Sequence, residues 1–97
     1  MKLWLQVGAD KFEETTLQVG DTILVRLRNG SVSMNRGSSK LWFGRRENRQ
    51  EKWCVKDNAS AVTYDYALKV ALFIADLAQL ICMKERVDEE HALFILR

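Results

Sequence analysis

Thr63–Val87, TYDYALKVALFIADLAQLICMKERV, is the stretch on which the fold turns. It holds no glycine or proline, and Ala, Leu, Lys, Gln, Met and Glu give it good helix propensity. At 100° per residue, Tyr66, Val70, Phe73, Ile74, Leu77 and Ile81 share one face, with Ala67, Ala71 and Ala78 beside them. The pattern predicts a helix over Tyr64–Val87, roughly 36 Å long and able to cross a small sheet. Ser60 or Thr63 can cap its start. Asp65 in the first turn, and Lys84 and Arg86 in the last, suit the helix dipole.

The other side of the same wheel carries Leu68, Leu72, Ala75 and Met83, interrupted by Asp76 and Gln79. Covering one sheet face needs a stripe only about 100° wide. The extra strip therefore has to meet the chain's own C-terminal strand, a second copy in a homodimer, or a protein target. Leu68, Leu72 and Met83 are the candidate partner-binding residues.

Everything before the helix reads as strands. Lys2–Val7 alternates, with Leu3, Leu5 and Val7 inward. Phe12–Val19 is a weaker strand with Leu17 and Val19 inward, and Thr22–Arg28 a strong one with Ile23, Val25 and Leu27 inward. Asn29-Gly30 predicts a two-residue hairpin turn, since both residue types accept positive φ. That loop sets Arg28 opposite Ser31, Leu27 opposite Val32, Arg26 opposite Ser33 and Val25 opposite Met34. Asn35–Ser39 reads as a polar loop. Lys40–Arg45 and Gln50–Lys56 then form a second hairpin around Arg46-Glu47-Asn48-Arg49, with Leu41, Phe43, Trp53 and Val55 inward. Beyond the helix, Asp88-Glu89-Glu90 turns the chain into His91–Leu96, a strand apolar on both faces that belongs inside the sheet or under the helix. The expectation is one α+β domain over residues 1–97. It is an antiparallel sheet of about five to six strands (two hairpins) packed on one long C-terminal helix and followed by a short final strand.

Composition agrees: 97 residues, 47% apolar and 29% charged, describe a soluble globular domain with enough chain for a core. Lys69, Asp76 and Gln79 break the helix at mid-depth, where hydrocarbon would penalise each charge by about 2.5–3.5 kcal/mol. No signal peptide precedes the first strand, so a cytoplasmic protein without a membrane span is expected. Cys54 and Cys82 show no CxxC spacing and read as reduced thiols rather than a disulfide.

Catalysis finds little support. The single histidine, His91, follows Asp88, Glu89 and Glu90, and nothing places a cysteine nucleophile beside it. Cys54, Cys82 and His91 lack metal-site spacing, and the glycines form no phosphate-cradling loop. No enzyme activity, cofactor or metal is expected.

Charge gives the positive lead. Residues 1–56 carry eleven Lys/Arg against six Asp/Glu, whereas residues 57–97 carry four against seven. Within Thr22–Lys56 the ratio is nine to two. Alternation puts Arg26, Arg28, Lys40, Trp42, Lys52 and Lys56 on the non-core strand faces, and the loop of the second hairpin adds Arg45, Arg46 and Arg49. Cations along phosphates release counterions, and a ring such as Trp42 stacks a base for roughly 1–3 kcal/mol. The expected function is thus a binding module for nucleic acid or a nucleoprotein complex. The alternative is a small inhibitor or adaptor of the compact kind that phages and other mobile elements encode against host defences, acting on a protein partner.

Glu14–Leu27, ETTLQVGDTILVRL, resembles the second and third strands of the carbon storage regulator family of RNA-binding proteins. The likeness covers about fourteen residues and departs elsewhere. Gln6 and Val7 stand where that family's first strand carries arginine for RNA, and the long apolar helix has no counterpart in it, so membership is not assigned.

Overall fold

The computed structural model describes residues 2–44 and 60–97. They form an α+β fold: a seven-stranded antiparallel sheet with one helix. In chain order the elements are β1 (Lys2–Gly8), β2 (Lys11–Thr15), β3 (Thr22–Arg26), β4 (Ser31–Arg36), β5 (Ser39–Gly44), α1 (Tyr64–Leu77), β6 (Cys82–Val87) and β7 (His91–Leu96). The sheet order is β2-β1-β5-β4-β3-β7-β6.

The expected 24-residue helix is really a 14-residue helix followed by a strand. Thr63 caps the start, its Oγ1 accepting from the Tyr66 N–H at 3.2 Å. At the far end Gln79 adopts φ +57, and its N–H donates to the Asp76 carbonyl while the Leu80 N–H donates to that of Ala75. This pair of bonds stops a helix with a left-handed residue. From Ile81 the chain pairs with the C-terminal strand instead, Ile81 and Arg97 exchanging both backbone bonds. β7 is apolar on both faces and needs a neighbour on its open side. Giving it β6 as an antiparallel partner outweighs the helical propensity of CMKERV.

The hairpin turns also differ from expectation. Arg26 pairs with Ser31, Val25 with Val32 and Ile23 with Met34, so the connection is four residues, Leu27–Gly30, not two. Leu27 is drawn out of the ladder: its N–H donates to the Glu90 carbonyl, and its own carbonyl accepts from Val62. The Asn29 side chain instead accepts from the Ser31 N–H, and only Gly30 in this turn has positive φ, +68. A slip of two residues conserves which side chains face the core. The true two-residue turn is Gly37-Ser38, between β4 and β5, inside the stretch read as a polar loop. Gly37 has φ +62, and Arg36 pairs with Ser39. The second strand expected at Gln50–Lys56 and its loop lie outside the described residues. β5 pairs with β4 and β1.

The core is one cluster on one sheet face: Leu3, Ile23, Val25, Val32, Met34, Leu41, Phe43, Ala92, Phe94 and Leu96, with Ala67, Val70, Ala71, Ile74 and Ala75 from α1. The helix therefore turns its alanines to the sheet, not Tyr66, Phe73 and Leu77, which stay 38%, 59% and 61% exposed. The expected face was skewed because it averaged in Ile81, which lies beyond the helix. Small residues let the helix settle close over large ones such as Phe94 and Leu96, and the Tyr64 ring stacks on Phe94 with centroids 6.3 Å apart. Val19, expected inward, is 67% exposed in the connection after β2.

That connection is fastened by a buried ion pair. Asp21, 1% exposed, accepts from Arg36 Nε at 2.9 Å and Nη2 at 3.1 Å, and from the Gln18 N–H at 2.9 Å. Arg36 also donates to Thr15 Oγ1 and the Thr16 carbonyl.

Candidate functional site

Alternation along the strands assigns the helix-free face of the sheet. Residues out of register with the core project there. They are Lys2, Trp4 and Gln6 of β1, Lys40 and Trp42 of β5, Ser31, Ser33 and Asn35 of β4, Thr22, Leu24 and Arg26 of β3, and His91, Leu93 and Ile95 of β7. β6 contributes Met83, opposite Ile95, and Arg86, which a register shift brings opposite Leu93. β2 contributes Phe12 and Glu14. Four Lys/Arg side chains share this face, among the described residues, with two carboxylates: Glu14, and Asp88, which reaches Arg86 at 3.8 Å and His91 at 3.7 Å from the β6–β7 turn.

Trp42 is half-buried at the centre of the cationic half. Its Nε1 donates to Gln6 Oε1 at 2.9 Å, which fixes the indole edge, and Lys40 Nζ lies 5.2 Å from the ring centroid. Such a cation–π contact is worth about 0.5–1 kcal/mol at an exposed site. Trp4 sits directly across from Trp42 but is only 5% exposed, so it offers no ring to a ligand. Lys2 approaches it at 5.9 Å and also pairs with Glu14 at 3.2 Å. Arg26 and Lys40 are exposed and form no ion pair with a described residue. Next to them the β4 row of Ser31, Ser33 and Asn35 makes a shallow polar floor. The β3–β7 half is apolar, through Leu24, Leu93 and Ile95.

Of the residues expected to bind nucleic acid, Arg26, Lys40 and Trp42 thus share one surface. Arg28 lies in the β3–β4 turn at its rim, 3.5 Å from Glu90. Arg45, Arg46, Arg49 and Lys52 lie outside the described residues. Lys2 and Arg86 join the face without having been expected there: Lys2 was already legible as an outward β1 residue, whereas Arg86 was hidden by the helical reading of β6. The candidate partner-binding residues separate. Leu68 packs against the core, Leu72 is 48% exposed on the outside of α1, and Met83 is on the opposite sheet face. They make no common surface, because Met83 belongs to a strand and not to the helix.

Beside the helix runs a groove of about 790 Å³, lined by Phe73, Leu77 and Ala78 of the helix side, by Leu3, Leu17 and Phe43, and by the polar Lys2, Glu14, Thr15 and Thr16. One helix explains it. A 14-residue helix is about 21 Å long and about 10 Å across, whereas seven strands span roughly 30 Å. α1 lies along β7 and β6.

Among the described residues no cysteine and histidine come together as a nucleophile pair. Cys82 pairs with Leu96 and His91 stands five residues back along β7, roughly 17 Å away, on the other sheet face. Burial pushes the Cys82 thiol up, leaving little thiolate. Asp88 serves its turn, accepting from the N–H groups of Glu90 and His91 at 2.8 Å, and those bonds hold its carboxyl below the usual range. Among the described residues no three His, Cys, Asp or Glu side chains gather as a metal set, and no helix is long and apolar enough to cross a membrane.

Compared with protein-family models, curated proteins and solved structures, the chain matches none.

Proposed function

We propose that this chain is a non-enzymatic binding module that holds single-stranded nucleic acid, free or within a nucleoprotein, on the helix-free face of its sheet. The observation that carries the reading is the pair of exposed cations on the same face as Trp42: Lys2 is paired with Glu14 and Arg86 with Asp88, whereas Arg26 and Lys40 form no ion pair with a described residue. Arg26 and Lys40 flank the hydroxyl and amide row of β4, which suits a sugar–phosphate chain running across the strands. Lys40 covers the Trp42 ring, so a stacking base displaces a mobile ammonium and leaves that cation for a neighbouring phosphate.

The test is fluorescence anisotropy with a labelled twenty-nucleotide single strand of mixed sequence, titrated between 50 and 300 mM salt. With three to four cations engaged, log K against log salt should fall with a slope of about −2 to −3. Arg26→Glu with Lys40→Glu should abolish binding, and Trp42→Leu should weaken it by roughly tenfold, the value of one lost stacking contact. No binding at 50 mM salt, or binding that ignores salt and both charge reversals, would remove the reading.

A further inference from the structure

The outer side of α1 carries Tyr66, Lys69, Leu72, Phe73, Asp76 and Leu77, all exposed. Its large apolar members, with Ile81 just beyond the helix, are 38–67% exposed. At roughly 180 Å² a side chain they present on the order of 500 Å², as large as the largest apolar patch on an ordinary monomer. The two sheet edges do not compete for a partner: β2 (KFEET) and β6 (CMKERV) are short and studded with charge, which discourages strand addition.

The charges on the helix say what fits. Lys69 and Asp76 are two turns apart on the outermost ridge, one on each side of Leu72-Phe73. A two-fold axis passing between Leu72 and Phe73 lays a second α1 antiparallel on the first. Position i then faces position 145 minus i, so Lys69 meets Asp76 of the other copy twice, and Leu72 meets Phe73 twice. A parallel arrangement sets Lys69 against Lys69 and Asp76 against Asp76. The surface is thus complementary to itself under the symmetry that most homodimers use.

We infer that the outer face of α1 is a homodimer interface in which two helices pack antiparallel, Leu72 and Phe73 at the centre and Lys69–Asp76 pairs on either side. The inference is independent of the nucleic-acid reading, which concerns the opposite sheet face. The patch falls below the roughly 800 Å² per partner of a standard interface, so association should be of micromolar strength, with the cationic faces directed outward.

Sedimentation equilibrium of nuclease-treated protein from about 5 to 500 µM tests it. Mass should climb from 11.2 kDa towards twice that value. Phe73→Asp should stay monomeric with an unchanged circular dichroism spectrum. Lys69→Glu should weaken association by roughly tenfold, and Lys69→Glu combined with Asp76→Lys should restore it. A monomer throughout the range, a Phe73→Asp variant that still self-associates, or a double reversal that fails to rescue the single one would each overturn the proposal. Because the readout is mass without nucleic acid, either proposal can fail alone.

Discussion

Arg36 shows how one residue type divides between structure and ligand. It is one of four Lys/Arg between Thr22 and Gly44, and in the sequence it looks as available as Arg26 or Lys40. In the fold its guanidinium clamps Asp21, Thr15 and Thr16, and its side chain is 24% exposed. Nothing local in NRGSS signals this, because the partner is fifteen residues earlier and meets it only once β3 and β4 have paired. The clamp has a measurable consequence. Arg36→Met leaves the Asp21 carboxylate in the interior with one backbone donor, and an uncompensated buried charge costs about 3–5 kcal/mol. Adding Asp21→Asn removes the charge, so the double variant should be more stable than the single one. Urea unfolding checks both statements. A single variant that loses under about 1 kcal/mol would show the pair to be incidental. Trp42 is the opposite case, since strand alternation alone put it outward, and there it lies with its Nε1 on Gln6 and Lys40 over its ring.

At the scale of elements, the legible part was whatever depends on period two. The core faces of β3 and β7, that of β1 as far as Leu5, and the register parity of the β3–β4 hairpin follow from alternation, whereas Val7, read as inward, is 48% exposed where β1 ends. The final strand also matches residue for residue, because a run apolar on both faces belongs inside a sheet. The end of α1 was not legible. Propensity continues through Gln79 without a break, and the stop is imposed by pairing with β7, a tertiary effect. Gln79 carries the resulting strain: a side chain in the left-handed region costs about 1–2 kcal/mol that glycine does not incur. Gln79→Gly should therefore stabilise the protein by about 1 kcal/mol, offset in part by the flexibility of glycine in the unfolded chain. For a domain of this size that raises Tm by roughly 4–8 °C. A fall in Tm would mean that Gln79 makes a compensating contact and that the helix end is set some other way.

For the whole molecule, the strand that ties the sheet together is β7. It arrives last in the chain yet sits between β3 and β6, and Ala92, Phe94 and Leu96 have no exposure at all. Its ladder with β3 joins Thr22 to Ile95 and Arg26 to His91, and the Gly20 N–H and Asp21 carbonyl hold Leu96 in place. The half of the sheet under the helix is therefore closed by the C-terminal strand, and it cannot open without losing the core. β2 is different: among the described residues it pairs with β1 alone, and it is exposed along most of its length. Native-state hydrogen exchange should separate them. Ladder amides of β3 and β7 should exchange only through global unfolding, with a free energy equal to that from urea. Those of β2 should exchange by local fraying, at least about 2 kcal/mol more easily. Equal protection in β2 would mean that this edge is covered in solution.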